Sequence, residues 1–475
     1  MNRVTSPRFK RNASEAIADP ALQKAMSAGL GFVERRQAAA DRLPEFDALR
    51  DSARDIKNHT LAHLDLYLEA YEERVTAQGG HVHFAVTAEE ARNTVLDICR
   101  KVSAKTVTKG KTMIAEEIAL NDFLEEKGVT PVETDLGEYI IQIRREMPSH
   151  IIAPAIHLNK EQVEADFRRV HTHLPPDRNL DEPATLLAEA RAVLRERFLA
   201  ADVGITGANF LIAETGTSII VTNEGNGDLT QTLPKVHIVL ATIEKLVPTL
   251  DDVAQLLRVL ARSATGQDMS VYTTLSTGPR RKDDPDGPGE YHVVILDNGR
   301  SAMLEGEFRD MLRCIRCGAC MNHCPVFNAV GGHAYGWVYP GPMGAVLTPS
   351  LVGVDQAGHL PNASTFCGRC EEVCPVRIPL PRMMRSWRER EFERHLSPAT
   401  MRSGLAFWAF FAKRPSLYRL ATNVAMRALS LAGMFFNGRF SHLPLAGGWT
   451  RHRDFPAPQG GTFQSEWKRR KGHAS

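Results

Sequence analysis

Cys314-Ile-Arg-Cys317-Gly-Ala-Cys320-Met-Asn-His-Cys324-Pro325 and Cys367-Gly-Arg-Cys370-Glu-Glu-Val-Cys374-Pro375 carry seven of the chain's eight cysteines. The first block is the C-x2-C-x2-C-x3-C-P run that ligates iron–sulfur clusters. The second is the same run without its first cysteine. Thiolates are soft, strongly donating ligands that suit iron in a sulfide-bridged cluster. In two-cluster ferredoxins the cysteine before the proline serves the other cluster. By that rule Cys314, Cys317, Cys320 and Cys374 hold one cluster, and Cys324, Cys367 and Cys370 hold a second. The first is expected to be [4Fe-4S]. The second lacks one thiolate, so it is expected to be [3Fe-4S], or [4Fe-4S] with a non-cysteine or exchangeable ligand. Ser364 occupies the place of the missing cysteine, though an alkoxide is a harder, poorer ligand. Gly318 and Gly368 are expected to let the backbone approach closely.

Other readings of the cysteines fit less well. Structural zinc needs four ligands per site. Seven cysteines give one full site and one needing His323, His333 or His359, and zinc does not call for both C-x3-C-P endings. Disulfides are disfavoured by the crowding and by the lack of a secretory signal. A lone thioredoxin-like C-x-x-C does not explain two tandem blocks. Cys99, in an apolar-patterned segment, reads as a small buried hydrophobe.

The 475 residues allow two or three domains, at about 150 residues each. Hydrophobic content of 43% with 24% charged is ordinary for a globular protein. Lys plus Arg number 58 against 56 Asp plus Glu, so there is no electrostatic case for a nucleic-acid partner. The first thirty or so residues carry Arg3, Arg8, Lys10 and Arg11 but no apolar core of a signal peptide. Cytoplasmic location is the expectation.

Four segments are expected. Residues 1–70 read as helical, with apolar residues at helical spacing in Ala16 to Arg36. Residues 71–302 alternate short strands and helices. His81 to Val86, Phe210 to Ala213, Ser218 to Thr222, Val236 to Leu240 and Tyr291 to Leu296 read as strands. Ala88 to Ala104, capped by Thr87, and Leu250 to Ser263 read as helices. This alternation argues an α/β domain with a largely parallel sheet. Residues 303–395 form the cluster domain. The long insert between its blocks and the helical look of Pro381 to His395 suggest an α-helical two-cluster ferredoxin. Residues 396–475 hold C-terminal helices and a basic tail. Gly404 to Ala412 and Ala421 to Phe436 are too short or interrupted to span a membrane. They are expected to pack on the protein, with a partner or peripheral membrane contact as the alternative.

Some signals fail. Gly110-Lys111-Thr112 resembles the end of a phosphate-binding loop, but Lys105 stands where that motif needs glycine. No G-x-G-x-x-G follows a strand, so a nicotinamide or flavin fold is unsupported. His81/His83 and His171/His173 have i, i+2 spacing but no nearby carboxylate or cysteine partners in sequence. The loops Glu214-Thr-Gly-Thr-Ser218 and Asn223-Glu-Gly-Asn-Gly227 offer N–H groups and hydroxyls to an anion such as a carboxylate. Tight turns needing positive φ are the competing reading.

Beyond the cysteines, several stretches resemble one family. They include Lys109-Gly-Lys-Thr-Met-Ile-Ala-Glu-Glu-Ile-Ala-Leu-Asn121, Glu133 to Glu138, Gly207 to Ser218, Thr222 to Gly227, Ser276 to Pro279 and Gly331-Gly-His-Ala-Tyr-Gly336. The chain resembles the lactate-utilisation protein B family, the iron–sulfur members of the bacterial lactate-utilisation system. The resemblance implies an α/β domain similar to sugar-phosphate isomerases and CoA transferases. It implies four-iron clusters at both cysteine sites. It also implies two further lactate-utilisation proteins as partners, one cysteine-rich and one sharing the α/β domain, with L-lactate oxidised to pyruvate by the assembly. The expected role is electron transfer to an acceptor that the sequence does not name, with no oxidation by this chain alone. Alternatives are the same role for another 2-hydroxy acid, or a non-redox hydro-lyase using an open cluster iron.

Overall fold

The computed structural model describes residues 4–28, 31–444, 446–450 and 453–473. The chain folds as two compact units, Met1–Glu391 and Phe392–Ser475.

The first unit is built on ten strands: β1 (His81–Ala85), β2 (Thr106–Lys109), β3 (Thr130–Glu133), β4 (Val203–Gly207), β5 (Phe210–Ile212), β6 (Thr217–Thr222), β7 (Val236–Thr242), β8 (Leu246–Val247), β9 (Tyr272–Ser276) and β10 (Glu290–Leu296). Six form a sheet in the order β1-β10-β7-β4-β2-β3, and every pairing in it is parallel. Parallel sheets are covered on both faces, so their central strands are apolar throughout. Accordingly, all of β7 is buried. The chain runs from β2 to β3 on one side and from β4 to β7 on the other. Sheet order therefore reverses between β2 and β4, and a crevice opens at their carboxyl ends.

A second sheet, β8-β5-β6-β9, departs from the sequence-based expectation. Two of the strands that read as part of one parallel sheet, β5 and β6, instead pair antiparallel. Four residues join them, whereas a parallel crossover needs a dozen or more. Gly216, at φ 66°, makes that turn. The strands β2 and β3 also escape a reading by pattern. They have four residues each, and β2 ends in a buried lysine. Lys109 is held 2.7 Å from Glu133 and 3.1 Å from Glu116, which makes the charge tolerable inside.

Helix ends follow their caps. The Thr87 hydroxyl accepts from the Glu90 N–H at 3.2 Å and starts Ala88–Lys101. Thr249 does the same for Leu250–Ala264 through Asp252. Cys99 is buried in the first of these helices, and burial pushes its thiol up to about 12. The N-terminal helices Phe9–Ala18, Pro20–Ala28, Phe32–Asp41, Phe46–Ala62 and Leu64–Ala77 wrap the same unit. One apolar core runs from Phe46, Leu49 and Ala53 through Val253 and Leu256 to Met311, Phe327, Tyr339 and Trp387. Between the two cysteine blocks every regular element is helical, the longest being Gly341–Val352.

The second unit carries the helices Ala399–Ala412, Pro415–Met434 and Phe463–His473, with the short ladder β11 (Arg439–Phe440) and β12 (Phe455–Pro456). Among the described residues no helix is long and apolar enough to cross a membrane. Phe407, Trp408, Leu420, Met434 and Phe435 stay exposed. This departs from the expectation that these helices bury their apolar faces.

A buried ionic knot ties the first unit together. Arg300, fully buried, lies 2.6 Å from Glu117 and 3.1 Å from Glu244. Removing one partner from a buried set strands the others' charge, which costs about 3–5 kcal/mol. Arg300→Met, which leaves Glu117 without a cation and Glu244 with Arg316 alone, is therefore expected to lower the stability of this unit by about that amount. Denaturant midpoints by circular dichroism measure it, and an unchanged midpoint would contradict the role assigned to the knot.

Candidate iron–sulfur centres

The two cysteine blocks fold alike, at a constant offset in sequence. The backbone turns left-handed at Arg316 (φ 61°) and Phe366 (φ 54°), and again at Gly318 (φ 73°) and Gly368 (φ 81°). Only glycine adopts that region without strain, so the second turn explains both glycines. Short helices follow, Ala319–Asn322 and Arg369–Glu372.

These turns bring together the sulfurs that the crossed rule groups. Cys314, Cys317, Cys320 and Cys374 line one cavity, with Ile151, Ile315, Met343 and Ile378 around them. Cys324, Cys367 and Cys370 line a second, with His323, Ser364 and Thr365. Cys374 thus stands apart from the other cysteines of its own block. The two cavities differ in depth. Cys317 and Cys374 are buried, while Cys367 is exposed.

The donor chemistry fits metal clusters. Burial pushes the thiols of Cys317, Cys320, Cys324 and Cys374 up, and neighbouring sulfurs push Cys317 and Cys320 further. Burial and then Cys324 and Cys367 take Cys370 up to about 12. Only Cys367 is lowered, by the Arg369 N–H and the Thr365 hydroxyl. Four crowded thiols cannot all ionise in such a cavity without a cationic centre among them. Metal ligation requires that ionisation, so the residues present suit an iron–sulfur centre.

Protein cations gather on the deeper cavity. Arg36 donates to the Val373 carbonyl at 2.9 Å, and Arg50 to the Cys374 carbonyl at 2.9 Å. These bonds satisfy carbonyls at the end of Arg369–Glu372, where the helix leaves them free. They also fix the Cys374 loop to the N-terminal helices. Arg316, inside the first block, lies 3.3 Å from Glu244 and 4.6 Å from the centroid of the Tyr339 ring. Lys57, from the N-terminal helices, and Lys245, from the α/β part, face Cys314, and burial lowers each lysine to about 8.

Ser364 lines the second cavity at the position equivalent to Cys314. Its hydroxyl accepts the Phe366 N–H at 3.1 Å, a local turn bond. Of the three histidines weighed as zinc ligands, only His323 lines a cysteine cavity, and its Nδ1 bonds the Ala319 carbonyl at 2.8 Å. His333 bonds the Met147 carbonyl and His359 the Ser6 carbonyl. His83 bonds His292 at 3.1 Å, and His171 bonds Tyr139 and Glu189 at 2.7 Å each. One histidine of each pair thus has ordinary structural partners.

The two glycine-rich loops separate. Glu214 to Gly216 lie in the β5–β6 turn, where Glu214 accepts the Leu250 N–H at 3.2 Å. Asn223 to Gly227 lie elsewhere. Asn223, Glu224, Asn226 and Gly227 line a third cavity, together with Gly110, Lys111 and Thr112. The Gly-Lys-Thr run that fails as a nucleotide motif therefore lines a cavity after all. Lys245 and Arg316 also line it, Arg316 from within the first cysteine motif and Lys245 outside any motif. The signal available in the sequence for Lys245 is a pair of charges, Glu244-Lys245, placed shortly after the buried strand β7.

Comparison with known proteins agrees along the chain. Residues 68–296 match the LUD domain family, 310–378 the 4Fe-4S dicluster domain family, and 377–472 the lactate utilisation protein B C-terminal family. The chain is 43% identical to lactate utilization protein B of Bacillus licheniformis over 471 residues, covering 98% of this chain and 97% of that protein. It is 44% identical to the protein of the same name from Macrococcus caseolyticus, with 98% and 97% covered. It is also 41% identical to the uncharacterized electron transport protein YkgF of Escherichia coli K12, with 97% and 96% covered. Matched end to end at this identity, and divided in the same order into LUD domain, dicluster domain and C-terminal region, the chain belongs to the lactate utilisation protein B family.

Proposed function

We propose that the chain is the electron-transfer component of a cytoplasmic complex that oxidises L-lactate to pyruvate. The observation that carries this reading is the pair of cysteine-lined cavities, one deep with four thiols and one reaching the surface at Cys367. Cys314, Cys317, Cys320 and Cys374 would hold a [4Fe-4S] cluster. Cys324, Cys367 and Cys370 would hold a second, [4Fe-4S] or [3Fe-4S]. Such clusters, when bound, supply one-electron transfer, whereas oxidation of a 2-hydroxy acid releases two electrons. The protein's part is to hold the ligands and tune their charge. Arg36, Arg50 and Arg313 fix the Cys374 segment by its carbonyls and those nearby, and they offset thiolate charge in a site of low dielectric. The α/β part is read as sugar-phosphate isomerase/CoA transferase-like, on its six-stranded parallel sheet.

Removing hydrogen from C2 of lactate needs a hydride or carbanion acceptor. No flavin or nicotinamide fingerprint occurs in this sequence. Two further lactate-utilisation proteins, one cysteine-rich and one sharing the α/β domain, are proposed to complete the reaction, and the final acceptor lies beyond them. The same role toward another 2-hydroxy acid is the nearest alternative. A hydro-lyase reading has one observation in its favour, the second cavity's three thiols with exposed Cys367. It predicts spectra that respond to substrate without net reduction.

The ligand grouping is tested by single substitutions. Cys374→Ser is expected to abolish the same electron paramagnetic resonance signal as Cys314→Ser, and to spare the one lost in Cys367→Ser. Loss of the Cys367 signal instead would break the crossed assignment.

Ser364→Ala is expected to leave iron content nearly unchanged, because the hydroxyl is already engaged by the Phe366 N–H and is a poor donor to iron. Ser364→Cys should slow oxidative loss of iron from the second site. Loss of about one iron in the alanine variant, on a total of about seven to eight for two clusters, would make Ser364 a ligand.

Alone, the chain is expected to make no pyruvate from L-lactate with an artificial acceptor. Anaerobic mixing with both partner proteins should allow lactate to bleach the visible absorbance. Robust turnover by the single chain would locate hydride removal here.

A further inference from the structure

The third cavity, of about 220 Å³, is neither of the cysteine sites. It opens where the strand order of the parallel sheet reverses. Gly110, Lys111 and Thr112 follow the carboxyl end of β2, and Gly207, Ala208 and Asn209 end β4 and leave it. Open parallel sheets bind ligands at this point, because the loops diverge and no side-by-side connection fills the gap. The size lies below the roughly 300–1,000 Å³ of sites for drug-sized ligands, so a small metabolite fits better than a dinucleotide.

The lining is chemically lopsided. Lys245 is 7% exposed and, among the described residues, makes no hydrogen bond or ion pair. A buried ammonium without partners is costly unless an anion completes it. Arg316 lines the same cavity, and its Nε is buried without a partner. Asn226 offers a third unfinished group, a buried side-chain carbonyl oxygen with no donor. Asp135 and Glu224 also line the cavity, and Glu224 is exposed. Lys111 is already spent, donating to the Ile152 carbonyl. One unpartnered ammonium, one unfilled guanidinium N–H and one unfilled acceptor describe a small acid that bears a hydroxyl.

The cavity also adjoins the deeper cysteine site. Arg316 stands between Cys314 and Cys317, and Ile151 lines both cavities. From these observations we propose that the cavity binds a small 2-hydroxy monocarboxylate beside the first cluster site, its carboxylate on Lys245 and Arg316 and its hydroxyl on Asn226. The choice of L-lactate as that acid rests on the function proposed above. The site itself rests on its lining.

The test uses the full chain, reconstituted anaerobically, in calorimetric titrations with L-lactate and with glycolate. Saturable binding is expected, weakened at least tenfold in Lys245→Met, with iron content and circular dichroism unchanged. If that variant loses iron or folds poorly, Asn226→Ala carries the test. It lies away from the cysteines and should weaken the hydroxy acids but not propionate. Glycolate binding that depends on these residues, without L-lactate binding, would uphold the cavity and sink the lactate reading. No saturable binding by either acid, or binding indifferent to both substitutions, would overturn the proposal. So would a Lys245→Met variant that shifts only the cluster potential.

Discussion

Arg300 is held at the centre of the first unit by two carboxylates, and what surrounds it depends on that arrangement. Glu244 also receives Arg316 from the first cysteine block at 3.3 Å. Its backbone carbonyl receives Lys57 from the N-terminal helices. Glu117 receives the Tyr339 hydroxyl at 2.6 Å, from the segment between the blocks. Burial works to raise the Glu244 carboxyl, yet Arg300 and Arg316 hold it down to about 2. Three parts of the chain that are distant in sequence therefore converge on two acids. Such a network repays its desolvation only when complete. Apolar packing would join these parts with as much energy but less definition. The knot accepts one placement of the cysteine block against the sheet, because a shift would strand charge in a dry interior.

That placement gives the two cysteine sites different surroundings. The deeper site is faced by Arg36, Arg50, Arg313, Arg316, Lys57 and Lys245, from the N-terminal helices, the sheet and its own loop. The outer site has Arg369 against Cys367, whose thiol is exposed. Positive charge in low dielectric favours the more negative state of whatever it faces. Solvent screens the outer site more strongly. Beyond the count of four thiols against three, the fold thus sets an electrical difference between the two sites through position.

The grouping of the cysteines into two cavities is legible in the sequence because their spacing is local. C-x2-C and C-x3-C-P fix which sulfurs can meet, and the crossed grouping follows without knowledge of the fold. The strands β7 and β10 are legible for the same reason, since burial on both faces leaves a mostly hydrophobic run, interrupted inside each by His237 and His292. What escapes is non-local. The Lys109 end of β2 looks like surface until Glu133, on the neighbouring strand, is seen to neutralise it. The β5–β6 hairpin looks like two parallel strands until its four-residue link is weighed. Gly110-Lys111-Thr112 fails against one nucleotide motif and has no other local meaning. Its real setting depends on β4, almost a hundred residues later. The C-terminal helices fail in the opposite sense. Their apolar residues read as buried, and Phe407, Trp408 and Phe435 are not.

The internal repeat shows where the two halves of the cluster region diverge. Arg316 and Phe366 share a left-handed backbone, and Gly318 and Gly368 share the next turn. The side chains in the repeated frame then differ. Arg316 reaches inward to Glu244, Tyr339 and Met343. Phe366 meets Arg388, whose guanidinium lies 4.1 Å from the ring centroid. Cys314 faces two buried lysines, Lys57 of the N-terminal helices and Lys245 of the α/β part, while its counterpart Ser364 turns its hydroxyl back to its own loop. One half is thus bound into the sheet and carries four thiols. The other is left near the surface with three. Duplication of a loop would make two equal sites. The sheet, by supplying Glu244 and Lys245 to only one of them, makes them unequal.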